Sequence, residues 1–166
     1  MTGIEYLFDS GLMGAEIAQV ISLSPVRHRD DVLAGEGFLP VLPALADLLP
    51  LCESRGVSVV IGGVFNSGIL IDPVPGAHFN YVPADQALLV RARAIQQICN
   101  KHDVPMAAAA LQFPLAHPRV CTVLIGPRTI GELETDLSLF EVEIPPQLWA
   151  DLRQAGLLGA DVPTPD

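Results

Sequence analysis

Two glycine-containing turns hold the residues whose types and spacing suit chemistry on a bound anion. One reads Ile125-Gly126-Pro127-Arg128-Thr129-Ile130-Gly131-Glu132. Thr129 and Glu132 form a Thr-x-x-Glu capping box, the signature of a helix start. That start follows an apolar run almost at once. The unpaired N–H groups and positive dipole end of such a helix form an anion site, and the Arg128 guanidinium suits phosphate. The spacing by itself also fits a box that merely starts a helix, with Arg128 in solvent. The other turn reads Gly62-Gly63-Val64-Phe65-Asn66-Ser67-Gly68-Ile69-Leu70. Its glycines let a backbone come close to a ligand. Phe65 offers a flat face, or a plain core side chain, and Asn66 and Ser67 offer hydrogen bonds to a phosphate. The pattern is neither GxGxxG nor a P-loop, which ends in Gly-Lys-Ser/Thr.

Other reactive residues are sparse. Cys52, Cys99 and Cys121 are odd in number, form no CxxC and sit among apolar neighbours. They read as free, buried thiols in a reducing cytoplasm. His28, His78, His102 and His117 are scattered and include no pair at metal-ligand spacing, so no metal site is expected. The only lysine is Lys101, and the only tyrosines are Tyr6 and Tyr81.

The elements that must position the two turns follow from apolar patterning. Residues 57–61 and 120–125 are short, nearly continuous apolar runs that end at Gly62-Gly63 and Gly126-Pro127. They suit strands of a parallel sheet buried on both faces. A weaker run, 31–34, ends at Gly35. Helices are predicted over 44–53, with Pro50 an interruption, and over 85–101, capped by Asp85 with an apolar stripe of Leu88, Ala92, Ile95 and Cys99. Further helices are predicted over 105–116, 129–139 and 145–154. Alternating strands and helices mean α/β with a parallel sheet. Ligands in such folds bind at the carboxyl ends of strands, which is where both glycine turns lie. Residues 1–30 read as a divergent leader: Ser22, Ser24 and Pro25 break the pattern, and Arg27-His28-Arg29 reads as a solvated turn.

The chain has 166 residues, half of them hydrophobic, with nine Lys+Arg against nineteen Asp+Glu and a net charge of -10. One domain is the default for that length. Low hydrophobicity, the mark of disorder, is absent. The acidic balance argues against nucleic acid, whose phosphates need the opposite sign. Mean hydropathy is +0.42, yet no apolar run approaches the ~18 residues of a membrane span, and no signal peptide is evident. Neither nucleic acid nor membrane is an expected partner.

Several segments taken together resemble the aldo/keto reductase family, and in particular its D-threo-aldose (L-fucose) dehydrogenase-like branch. Arg55 to Leu70 resembles the family's seventh strand and loop. His78-Phe79-Asn80-Tyr81 with Pro83-Ala84 is similar to the segment that follows. Ala107 to Pro118 resembles the helix before the last strand, and Val123 to Arg128 resembles the V-I-P-G-A-R strand end. Ile144 to Leu158 resembles the C-terminal helix and tail. Asp31 to Gly35 matches the sixth strand.

The resemblance implies a TIM-type (β/α)8 barrel that transfers hydride between NAD(P)H and a carbonyl or sugar. A whole barrel takes ~250 residues, so residues 31–166 are expected to form the C-terminal, cofactor-binding half, with three or four parallel strands and flanking helices. By resemblance, Phe65 stands where an aromatic stacks on the nicotinamide. Asn66, Ser67 and Leu70 stand along the pyrophosphate, with Gly68 and Gly126 in the same turns. Arg128 and Thr129 stand near the adenosine 2′-position, and Glu132 and Asp136 near the adenine. At Asp136 the family often has Asn, which donates as well as accepts. The two acidic side chains leave NAD and NADP both open. The family's Tyr, Lys, Asp and His catalytic group comes from early strands, and no Tyr–Lys pair can be placed here. The expectation is an aldose-type dehydrogenase half that is inactive alone; the alternative is a non-catalytic remnant, or a nucleotide-binding or assembly module. An open half barrel would leave Val57, Val59, Ile61, Val123 and Ile125 bare, so self-association or a separate chain supplying the missing half is expected.

Overall fold

The computed structural model describes residues 19–22, 43–160 and 162–165. Three parallel strands form the sheet, β1 (Gln19–Ser22), β2 (Val59–Gly62) and β5 (Val120–Leu124), in the order β1-β2-β5. Register runs from Gln19 opposite Val59 to Ser22 opposite Gly62, and from Val59 opposite Val120 to Gly62 opposite Leu124. A shift between Val59 and Val60 puts one extra β5 residue against β2. Between β2 and β5 lie a two-stranded hairpin, β3 (His78–Phe79) with β4 (Val82–Pro83), and the helices α2 (Gln86–Lys101) and α3 (Met106–Gln112). Helix α1 (Pro43–Ser54) precedes β2, and α4 (Ile130–Phe140) and α5 (Pro146–Gln154) follow β5. Among the described residues no helix is long and apolar enough to cross a membrane.

Local chemistry explains where these elements stop. Helix α1 ends in a Schellman motif: the Gly56 N–H reaches the Glu53 carbonyl and the Val57 N–H the Cys52 carbonyl. Gly56 holds φ at +68°, a conformation that costs a glycine little. Val57 is spent on this cap, so β2 starts at Val59 rather than at residue 57. The same two bonds close α2 at Asp103 and α5 at Gly156. Helix α2 starts where the sequence places it, with Asp85 Oδ1 accepting from the Leu88 N–H at 2.8 Å. The helix expected over 105–116 divides at its carboxyl end into α3 and a 3-10 turn over 113–116. Pro114 lacks the N–H that would continue the α-ladder. Pro50 does not break α1; Cys52, one turn beyond the middle, is buried against the sheet and holds the helix there.

Strand β1 lies inside the expected leader and is hydrogen-bonded along β2. Only Val20 and Ile21 in it are β-branched, flanked by Gln19 and Ser22, too short a signal to read. The strand expected at 31–34 falls outside the described residues.

Two apolar clusters make the core. The larger joins α2, α3 and α5, with Trp149, Leu148, Leu152 and Ile95 almost wholly buried. The smaller packs Val59 and Ile61 of β2 on Cys52, Val64, Leu111 and Val120. This corrects the expected bare strand face: Val59 and Ile61 are 0% and 1% exposed, because α1 and α3 cover their side of the sheet. Val57, Val123 and Ile125 are half-buried. Leu124 of β5 is exposed, as are Ile130, Leu133, Leu137 and Phe140 along α4, in which no residue is buried. Nor are all three thiols buried. Cys52 and Cys99 are, and burial pushes the Cys99 thiol up to about 11. Cys121 is exposed on β5, which has β2 on one side only among the described strands.

Candidate functional site

Adjacent parallel strands β2 and β5 end side by side at Gly62 and Leu124. The two glycine turns continue from those ends and enclose a cavity of about 590 Å³. Residues 63–68 form one wall and Leu124, Ile125, Gly126 and Arg128 the other, with Ile71, His78 and Tyr81 alongside.

The first wall is a tightly wound turn. Asn66, Ser67 and Gly68 have φ of 46°, 59° and 97°, all left-handed. Asn tolerates this conformation better than most residues and Gly best. The Asn66 N–H reaches the Gly63 carbonyl at 2.8 Å, and the Gly68 N–H the Phe65 carbonyl at 3.0 Å. The side chains then hold the β3–β4 hairpin. Its two-residue tip, Asn80-Tyr81, has positive φ at both positions, 50° and 64°, as in a type I′ turn. Asn66 Oδ1 accepts from the Asn80 N–H at 3.3 Å, and Ser67 Oγ from the Tyr81 N–H at 2.9 Å. Asn66 is 5% exposed, and its buried Nδ2 has no hydrogen-bond partner. A buried amide donor left in this state is costly unless something completes it.

The second wall leads into α4. Thr129 is the N-cap, its Oγ1 accepting from the Glu132 N–H at 3.1 Å. The return arm lands one residue earlier than in a standard capping box. Glu132 Oε2 accepts from the Arg128 backbone N–H at 2.6 Å, and Oε1 from Arg128 Nη2 at 3.1 Å. Those bonds hold the Glu132 carboxyl below the usual carboxylate range, the backbone one most. Burial, then the neighbouring Glu132 charge, pushes the Asp136 carboxyl up.

The structure therefore gathers Phe65, Asn66, Ser67, Gly68, Gly126 and Arg128 around one space. Leu70 is placed elsewhere: its side chain is buried in the larger core cluster. Thr129 caps α4, Glu132 pairs with Arg128, and Asp136 is half-buried a turn further on; none of the three lies on the cavity wall. His78, Tyr81 and Ile71 were not foreseen there. The turn at Asn80-Tyr81 lacks the Asn-Gly or Asp-Gly pair that marks such hairpins. Among the described residues no group of three or more His, Cys, Asp or Glu side chains is placed to hold a metal.

A parallel sheet with helices packed on it, and a ligand-sized space at the strands' carboxyl ends, is an open piece of the (β/α)8 architecture. The chain belongs to the aldo/keto reductase family, whose family model matches residues 43–156. It is 41% identical over 128 residues to a pyridoxal 4-dehydrogenase of Microbacterium luteolum, covering 76% of this chain and 37% of that protein. It is 36% identical over 136 residues to a D-threo-aldose 1-dehydrogenase of a Pseudomonas species, covering 81% and 40%. The holo form of an aldo-keto reductase of Bacillus halodurans superimposes with a TM-score of 0.52 at 25% identity, covering 70% of this chain and 39% of that one. The chain thus spans about two fifths of the length of the relatives it matches.

Proposed function

We propose that this chain carries the nucleotide-binding portion of an NAD(P)-dependent oxidoreductase acting on a sugar or another small carbonyl compound. One observation carries the reading: both glycine turns border one cavity, with the exposed Arg128 at its rim and a buried amide donor without a partner, Asn66 Nδ2, at its wall. The residues present fit a dinucleotide. Gly68 and Gly126 have nothing within 4 Å of where a Cβ would stand, so the turns leave room for a ligand. Phe65 supplies the flat face, Asn66 and Ser67 the short polar groups, and Arg128 the positive charge. The bound nicotinamide supplies hydride transfer; this chain's own residues bind and orient it. The similar pyridoxal 4-dehydrogenase and D-threo-aldose 1-dehydrogenase support a sugar or pyridoxal as substrate.

Calorimetric titration with NAD⁺ and NADP⁺ tests the reading. Weak binding is expected, and Arg128→Ala should weaken it about tenfold or more, the range of a charge-assisted hydrogen bond. Unchanged binding in that variant would remove Arg128 from the site.

The same proposal gives the chain a protein partner, a second copy or a separate chain, that covers Leu124 and the apolar side of α4. Sedimentation of the pure protein should show self-association or strong binding of a hydrophobic dye. A monodisperse monomer that binds no dye contradicts this.

A further inference from the structure

We propose that Gln112 positions the cavity's second wall from a distance, by holding the far end of α4; the inference rests on the nucleotide-binding reading above. A helix ends in carbonyl groups that its own ladder leaves unpaired. Their usual partners are the backbone N–H groups brought round by a following glycine, or a basic side chain in the last turn. Helix α4 has neither. Its sequence runs on from Phe140 into Glu141-Val142-Glu143, and the helix holds no lysine, arginine or histidine. The donor comes instead from the last residue of α3. Gln112 Nε2 donates to the Leu139 carbonyl at 2.8 Å and to the Val142 carbonyl at 2.9 Å, and lies 3.5 Å from the Phe140 carbonyl. One side-chain amide, with two hydrogens to give, thus serves the whole carboxyl end of α4.

This tether matters because little else holds the helix. No residue of α4 is fully buried, and Leu139 is its one apolar side chain packed on the core clusters. The other end of α4 carries the cavity. Thr129 caps it, and Gly126 and Arg128 just before it line the second wall. The eleven residues of the helix span about 16 Å. Pinned at its carboxyl end by Gln112 and joined at the other to β5, that rod keeps one direction. Unpinned, it swings about the turn at 126–129, and the Arg128 guanidinium moves with it. Gln112 touches no part of the cavity; it acts on a ligand only through α4.

Three variants isolate the effect. Gln112→Met removes the donors at similar length and without charge. Gln112→Glu turns a carboxylate toward the carbonyls and the negative end of the helix dipole. Gln112→Lys restores a donor suited to that end. Hydrogen exchange is followed in peptides covering α4 and, as an internal reference, α2; NAD⁺ and NADP⁺ are titrated by calorimetry, with circular dichroism to confirm folding. In the Met and Glu variants the α4 amides should exchange about tenfold faster or more, the worth of the lost hydrogen bonds, while α2 keeps its protection. Dinucleotide affinity should fall by roughly threefold or more in both, and Gln112→Lys should return both readouts to within about twofold of wild type. A residue that served only general stability would instead speed exchange in α2 and α4 alike. That result, or α4 exchange unchanged in the Met and Glu variants, overturns the inference. So does a loosened α4 that leaves dinucleotide affinity within twofold of wild type, and in that case the nucleotide site still stands. Failure of wild type to bind either dinucleotide overturns the nucleotide reading, and the positioning of its wall with it.

Discussion

Trp149→Ala is expected to destabilise the protein by about 3–5 kcal/mol, the range for removing a buried aromatic. Trp149 is 1% exposed in the larger core cluster. Its ring lies 5.8 Å from that of Phe113, tilted by 36°. Leu148 and Leu152 of the same helix are also wholly buried, so α5 anchors α2 and α3 through one apolar face. No neighbouring side chain on that face is free to fill the gap, because each is already packed. Since domains are stable by only about 5–15 kcal/mol, the variant should be largely unfolded at 37 °C. Urea denaturation measures the difference. A loss below about 1 kcal/mol would show that the core is not centred on α5.

The purified chain is expected to give no measurable reduction of NAD⁺ or NADP⁺ with aldoses or pyridoxal. Oxidising an alcohol by hydride transfer requires a base placed to take the hydroxyl proton, an effect worth about 10²- to 10⁴-fold. The only lysine, Lys101, closes α2 and is not on the cavity wall. The wall's ionisable groups besides Arg128 are His78 and Tyr81, both exposed on the hairpin, Tyr81 by 78%. Among the residues lining the cavity the one lysine or arginine is Arg128, and it is paired with Glu132. Turnover that survives contaminant controls and vanishes in His78→Ala or Tyr81→Phe would instead assign the hairpin as the catalytic group.

The sequence is most legible where a local rule and a tertiary demand agree. Asp85 caps α2 just ahead of its apolar stripe, so that helix is read to within a residue. Thr129 and Glu132 mark the start of α4, Gly62-Gly63 marks the end of β2, and Gly126-Pro127 follows the end of β5. Legibility fails where long-range contacts overrule local pattern. β1 is a strand because β2 lies alongside, with only Val20-Ile21 to announce it. α1 passes through Pro50 because Cys52 and its neighbours pack on the sheet. The burial of Val59 and Ile61 depends on α1, which directly precedes β2, and on Leu111 of α3, which comes from later in the chain, beyond α2. Of the site, the two turns were visible as turns; their meeting around one space required the register of β2 against β5. The stitching of Asn80 and Tyr81 to Asn66 and Ser67 spans fourteen residues and leaves no periodic trace.

Helix α4 has a thermodynamic meaning for that space. It contributes no fully buried residue and packs on the core only through the partly buried Leu139 at its carboxyl end, so little apolar packing opposes opening of its first turns, and elements of this kind open well below the free energy of global unfolding. The first wall is different in kind, tied by hydrogen bonds to the hairpin and followed at once by the buried Ile69 and Leu70. A ligand that spans both walls joins a soft unit to a firm one. Part of its interaction energy is then spent on ordering α4, which lowers the apparent affinity. Whatever steadies α4 beforehand removes that cost and tightens binding without touching the ligand.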